Sequence, residues 1–93
     1  MVLDLHAVIR KTDTQVSCPL MDEVVLMNTE TGCYYSSEGT GKHIWDLLDQ
    51  PQSLDSLAQR LSEVYDVSPE RCCKGLIPYI EALQKRGLVR IQT

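Results

Sequence analysis

The residues able to do chemistry are few. Four cysteines (Cys18, Cys33, Cys72, Cys73) and two histidines (His6, His43) stand out. Cys33 and His43 together could mimic the thiolate–imidazole pair of a cysteine hydrolase. No third orienting group and no Gly-rich oxyanion turn accompanies them, and a short chain offers little pocket. Neither histidine has a ligand-spaced partner on a common expected face, which argues against zinc. Adjacent Cys72 and Cys73 cannot both face one side of a helix. With no C-x-x-C spacing and no disulfide framework, the cysteines read as small buried free thiols. Glu38-Gly39-Thr40-Gly41-Lys42 holds only fragments of a phosphate-cradling loop, and its glycines fit a strand-to-helix turn better. No metal, no cofactor and no catalysis is expected.

What remains is the chemistry of the backbone itself. The stretch Asn28-Thr29-Glu30-Thr31-Gly32-Cys33-Tyr34-Tyr35-Ser36-Ser37 follows the apolar run Val24-Val25-Leu26-Met27. It reads as the turn and second strand of a β-hairpin, with Gly32 free to take positive φ. Cys33 and Tyr35 then share one face, and Tyr34 and Ser36 the other. If an N-terminal strand pairs with the far side of 24–28, the strand Cys33-Tyr34-Tyr35-Ser36 is left as a free edge. Free edges invite another chain to pair with them.

Ninety-three residues make one small domain, taken as 1–93. Hydrophobic residues are 43% and charged residues 24%, ordinary for a globular chain. No apolar run reaches membrane-helix length, and no membrane partner is expected. Met1-Val2-Leu3-Asp4-Leu5-His6 carries an early acid and no basic segment, which argues against a signal peptide and for a cytoplasmic protein. A net charge of −4 disfavours nucleic acid. Asp46, Asp49, Asp55, Glu63 and Glu81 read as solvated charge.

The edge has to be held by the elements around it. Leu5, Ala7 and Ile9 alternate toward one side, so a strand is expected over His6 to Arg10. A second extended piece is expected over Gln15 to Cys18, ended by Pro19. The run Val24 to Met27 suits a central strand covered on both faces. A first helix should start near Ser37 or Thr40 and bury Ile44, Trp45, Leu47 and Leu48. Trp45 reads as the core residue. A second helix starts at Ser53 with the stripe Leu54, Leu57, Ala58, Leu61, Val64. Ser68-Pro69-Glu70 opens a third helix, whose apolar face is Cys72, Cys73, Leu76, Ile77, Ile80 and Leu83. Lys85 and Arg86 suit its last turn, and Gly87 its end. Pro78 predicts a kink or break near 74–78. Leu88 to Ile91 closes as a short strand. The expectation is an α+β fold: a winged helix-turn-helix, with a three-stranded antiparallel sheet followed by three helices.

The ordered set Val24-Val25-Leu26-Met27-Asn28, Thr31-Gly32-Cys33-Tyr34-Tyr35, Gly41-Lys42-His43-Ile44-Trp45-Asp46-Leu47-Leu48, then Leu83 with Gly87-Leu88-Val89, resembles the PqqD-like family. These are the recognition elements for ribosomally made, post-translationally modified peptide precursors. The resemblance spans residues 18 to 91 and is nearest the stand-alone members of lasso-peptide pathways. It implies a non-catalytic adaptor. The leader segment of a precursor peptide would add a strand to the sheet edge and lie against the third helix. A leader peptidase of the transglutaminase-like cysteine protease type would then receive the precursor. In quinone-cofactor biosynthesis the corresponding partner is a radical SAM enzyme. The implied peptide-binding residues are Cys33, Tyr34, Tyr35 and Ser36 on the edge, with Cys72, Cys73, Leu76, Ile77 and Ile80 as the wall. Ser37 and Gly75 depart from the family's pattern, where an apolar residue and an acid are common. The alternative readings are a winged-helix DNA-binding protein, with Arg71, Lys74, Lys85 and Arg86 on the third helix as phosphate contacts, and a PqqD-type chaperone that delivers a precursor to a radical SAM enzyme.

Overall fold

A computed structural model of the chain describes residues 5–92. Met1 to Asp4, on which the reading against a signal peptide partly rests, lie outside the described residues. Along Glu23–Asn28 the side chains alternate between half-buried and buried, with Val24, Leu26 and Asn28 pointing inward. This strand, β3, lies between β2 (Gln15–Leu20) and β4 (Tyr34–Glu38) in one antiparallel sheet. Coverage on both faces was expected and is not found. The core packs on the Val24 and Leu26 side. On the other side, register sets Met27 between Val16 and Tyr34, which are 52% and 72% exposed, and Val25 between the exposed Cys18 and Ser36. Nor does Pro19 end its strand: β2 continues to Leu20, because an edge strand tolerates a proline whose nitrogen faces away from the ladder.

The expected single sheet is in fact two. β1 (Val8–Lys11) pairs with β5 (Gln52–Ser53) and with β6 (Val89–Gln92), in the order β5-β1-β6. The N-terminal strand therefore binds the C-terminal one, and it is β2 that covers the far side of β3. Ala7 and Ile9 enter the core, while Leu5 stays exposed. Lys11 Nζ bonds Asp49 at 2.5 Å and lies 4.4 Å from the centroid of the Trp45 ring, covering the central core residue.

Three helices complete the α+β fold. α1 (Thr40–Leu47) buries Ile44 and Trp45. Its N-cap is Gly39 at φ 57°, not Ser37 or Thr40, because the chain leaves β4 through a left-handed turn that glycine adopts without strain. α2 (Leu54–Tyr65) begins as expected, with Ser53 Oγ accepting from Ser56 N at 3.1 Å. Leu54, Leu57, Ala58 and Leu61 are buried, but Val64 is 59% exposed. At 3.6 residues per turn it falls on the border of the stripe. α3 (Pro69–Lys85) is capped by Ser68 Oγ accepting from Arg71 N at 3.3 Å. It runs unbroken through Pro78, so no break occurs at 74–78. Leu76, Ile80 and Leu83 are buried along one side while Lys74 and Pro78 are exposed. The carbonyl that loses its partner to the proline is on the wet side, and packing holds the other. The cysteines are not buried as expected: Cys18 and Cys33 are exposed, Cys72 and Cys73 half-buried. No helix among the described residues is long and apolar enough to cross a membrane.

Asn28 joins the hairpin to α3. Its Nδ2 donates to the Arg86 carbonyl at 2.9 Å, and its Oδ1 accepts from Glu30 N at 2.9 Å and Thr31 N at 3.3 Å. Gly87 ends α3 at φ 75°, and a Cβ there would lie 2.6 Å from Asn28 Nδ2. Gly87→Ala is therefore expected to cost about 2 kcal/mol or more, from left-handed strain plus the displaced Asn28. Gly32→Ala, at φ 73° with nothing within 4 Å, should cost only the strain, about 1 kcal/mol. Urea denaturation of both variants checks the difference.

Candidate functional site

Each residue of an antiparallel strand aims its N–H and C=O to the same side, and successive residues alternate. Asn28 N donates to the Cys33 carbonyl at 3.1 Å, so this pair is of the hydrogen-bonded kind. The register then makes Leu26–Tyr35 and Val24–Ser37 hydrogen-bonded pairs too. Tyr34, Ser36 and Glu38 are left with both backbone groups directed away from β3. On the opposite side of the sheet, Thr29 N donates to the Thr14 carbonyl at 2.9 Å. By the same count Gln15, Ser17 and Pro19 face outward from β2. Pro19 has no N–H. Among the described residues the sheet thus has two open edges, and only β4 keeps an unbroken row of donors.

β4 is fastened from its inner side. Ser37 Oγ and Tyr79 Oη are 2.7 Å apart, and Tyr79 Oη donates to the Gly41 carbonyl at 3.2 Å. Arg86 Cζ lies 4.6 Å from the Tyr35 ring centroid. Tyr79 of α3 and Arg86, which caps the end of that helix, therefore grip Ser37 and Tyr35 of β4. Burial pushes the Tyr79 phenol above its ordinary pKa, opposed by the bond to Ser37 and by the charge of Arg86. Beside this clamp lies an open groove of about 380 Å³, floored by Ile44 between the end of β4, the start of α1, and Gly75 and Tyr79 of α3.

The residues singled out from the sequence are placed as follows. Tyr34 and Ser36 lie on the open edge, and Tyr35 points inward. Cys33 precedes the strand and is exposed. Cys72 lines an apolar groove between the helices, next to Gly75. Leu76 and Ile80 are 1% and 0% exposed and fill the core, with Leu76 also at the base of the groove that Cys72 lines. Ile77 is half-buried against the core. Cys73 is also half-buried against the core; burial, then the charge of Asp55 on α2, raises its thiol pKa. The sequence reading missed Glu38 and Tyr79, and marked Gly75 only as a departure from the family's pattern and not as a site residue. Alternation carried two residues past Ser36 would have reached Glu38. Gly75 and Tyr79, one turn apart, lie on the helix face that does not carry Leu76, Ile80 and Leu83. No group of three or more His, Cys, Asp or Glu among the described residues could hold a metal ion.

The family model described as coenzyme PQQ synthesis protein D (PqqD) matches residues 23–89. The chain belongs to the PqqD family. Two solved structures are similar to this PqqD-family chain. TbiB1, in complex with the TbiA(beta) leader peptide, is 27% identical with a TM-score of 0.82, over 87% of this chain and 94% of that one. A lasso peptide synthetase B1 complexed with its leader peptide is 22% identical with a TM-score of 0.75, over 88% and 96%. The second, at that identity, speaks for the fold alone. Comparison with curated proteins finds no match. As a PqqD-like recognition element, the chain keeps the family's sheet and helices but has Ser37 and Gly75 at the groove.

Two variants test the clamp and the groove. Tyr79→Phe should cost about 1 kcal/mol at neutral pH, because Ser37 loses its partner. In the parent, the raised folded pKa gives stability that is full below the unfolded tyrosine's value of about 10 and is lost as pH rises through the folded value. The phenylalanine variant should lack that alkaline loss, as urea melts at neutral pH and above pH 10 would show. Gly75→Ala, with nothing within 4 Å of the new Cβ, should stabilise α3 by about 1 kcal/mol, read in the same melts.

Proposed function

We propose that this chain is a non-catalytic adaptor. It binds the leader segment of a ribosomally synthesised precursor peptide as a fourth strand on β4. It then presents the precursor to separate maturation enzymes, beginning with a leader peptidase of the transglutaminase-like cysteine protease type. The observation that carries this reading is the outward row of backbone groups on Tyr34, Ser36 and Glu38, beside a groove walled by α3. The leader complex of TbiB1, at 27% identity, supports it.

The physics of such a site is main-chain affinity with side-chain choice. The edge gives register, and the wall formed by Cys72, Gly75 and Tyr79 selects the residues that fit. A disordered leader loses entropy on ordering, so a few apolar anchors carry much of the binding energy. Holding the leader places the cleavage site near the peptidase at high effective concentration, which raises rate without chemistry in this chain. α2 and α3, joined through Asp66 to Ser68 with Asp66 at φ 51°, supply the two helices of a winged helix-turn-helix. With a net charge of −4, that motif here serves peptide and not DNA.

Ser36→Pro tests the reading cleanly. It deletes an N–H that no strand of this protein uses, so the fold should survive, as far-UV circular dichroism would show. Peptides selected by the parent protein from a displayed library of random peptides should bind the variant at least about tenfold more weakly. Ser17→Pro, on the opposite edge, should leave their affinity unchanged. Equal affinity for parent and a folded Ser36→Pro protein would sink the strand-addition reading.

A further inference from the structure

We propose a second binding site, on the other sheet of this chain. Arg10 and Arg90 receive a carboxylate from an acidic, extended segment of a partner protein, and that segment lies in the hollow left where β5 stops short beside β1. This inference stands apart from the strand-addition reading of β4.

Two observations carry it. The first is charge. Arg10 and Arg90 are directly opposite in the β1–β6 register, so both side chains project on one face, with Cβ atoms about 5 Å apart. Both residues are exposed. Like charges directly opposite repel, and no acid of the chain relieves this pair: among the described residues the one ion pair joins Lys11 to Asp49. Asp13 and Asp49 line the same hollow, but Asp49 is taken by Lys11 and Asp13 bonds neither arginine. Two guanidiniums side by side suit a carboxylate, which each can hold through parallel hydrogen bonds.

The second observation is the backbone. β5 pairs with β1 only at Val8 and Ile9. Leu54 N donates to the Ala7 carbonyl at 3.0 Å on that side, and Thr12 N donates to the Leu88 carbonyl at 3.1 Å on the β6 side. Counted by twos, Ala7, Ile9 and Lys11 direct their backbone groups toward β5, while Arg10 and Thr12 direct theirs toward β6. By Lys11, β5 has already ended. A hollow of about 330 Å³ remains between Lys11 to Asp13 and the turn at Leu48 to Pro51, and Arg10 and Arg90 also line it.

An extended segment entering this hollow continues the line of β5. Its backbone meets the Lys11 N–H and C=O, and its residue beside Arg10 projects on the face that carries the two guanidiniums. Asp or Glu at that place relieves the repulsion between them. Lys or Arg there would add to it.

The experiment selects displayed random peptides on the full chain and on its Ser36→Pro variant. Both should enrich a class of peptides rich in Asp and Glu, with equal affinity for the two proteins. That class should bind the double variant Arg10→Gln, Arg90→Gln at least about tenfold more weakly, and its binding to the parent should weaken as salt rises. Arg10→Glu combined with Arg90→Glu should instead enrich peptides bearing Lys and Arg. The glutamine variant should melt at or above the parent's temperature, because it removes a repulsion between exposed groups, so weak binding would not be unfolding. In a selected peptide, the amide whose N-methylation abolishes binding should belong to a neighbour of the essential acid. Absence of an acidic class, undiminished affinity for the glutamine variant, or an essential acid with no sensitive neighbouring amide would overturn the inference. Inorganic phosphate binding as tightly as the peptides, and lost in the same variant, would overturn it in favour of a small-anion site.

Discussion

A residue in a strand must aim both of its backbone groups to one side, and the rest of this structure depends on that constraint. On β4 it gives Tyr35 and Ser37 to β3 and leaves Tyr34, Ser36 and Glu38 facing outward. The same period of two sends the side chains of Tyr35 and Ser37 inward, to Arg86 and Tyr79. One alternation therefore settles which residues are fastened and which remain available. Asn28 and Gly87 keep the end of α3 against the hairpin, so the wall and the edge hold their spacing.

What the sequence disclosed was local. Ser53, Ser68-Pro69 and Gly87 are caps, and each acts within a few residues of itself, so each was legible. The hairpin from β3 to β4 was legible for the same reason. The pairing of β1 with β6 was not, because the partners lie at opposite ends of the chain and their alternating patterns fit many mates equally well. β5 spans two residues and has no pattern to read. The N-cap at Gly39 was hidden by better-known capping residues on either side of it.

The candidate site was half legible. The edge followed from the hairpin, short by the two residues up to Glu38. The wall was misjudged because an apolar stripe on a helix does not say which of its members meet the core and which meet a groove. Leu76 and Ile80 are core; Cys72 lines the groove with Gly75. Glycine carries no hydropathy, so a pattern search for apolar faces passes over it. Pro78 drew attention as a helix breaker, yet the buried residues around it keep α3 continuous.

Pro19 has a consequence for how many chains can join the sheet. A sheet with two open edges is a unit that can stack into a polymer, each chain's free side meeting the next. Here one side ends in a residue that cannot donate and whose ring projects into the approach. The two edges are therefore unequal mates: in a head-to-tail stack of copies the β4 edge of each would meet the proline ring of the next, so growth of a polymer through this sheet is hindered at every junction.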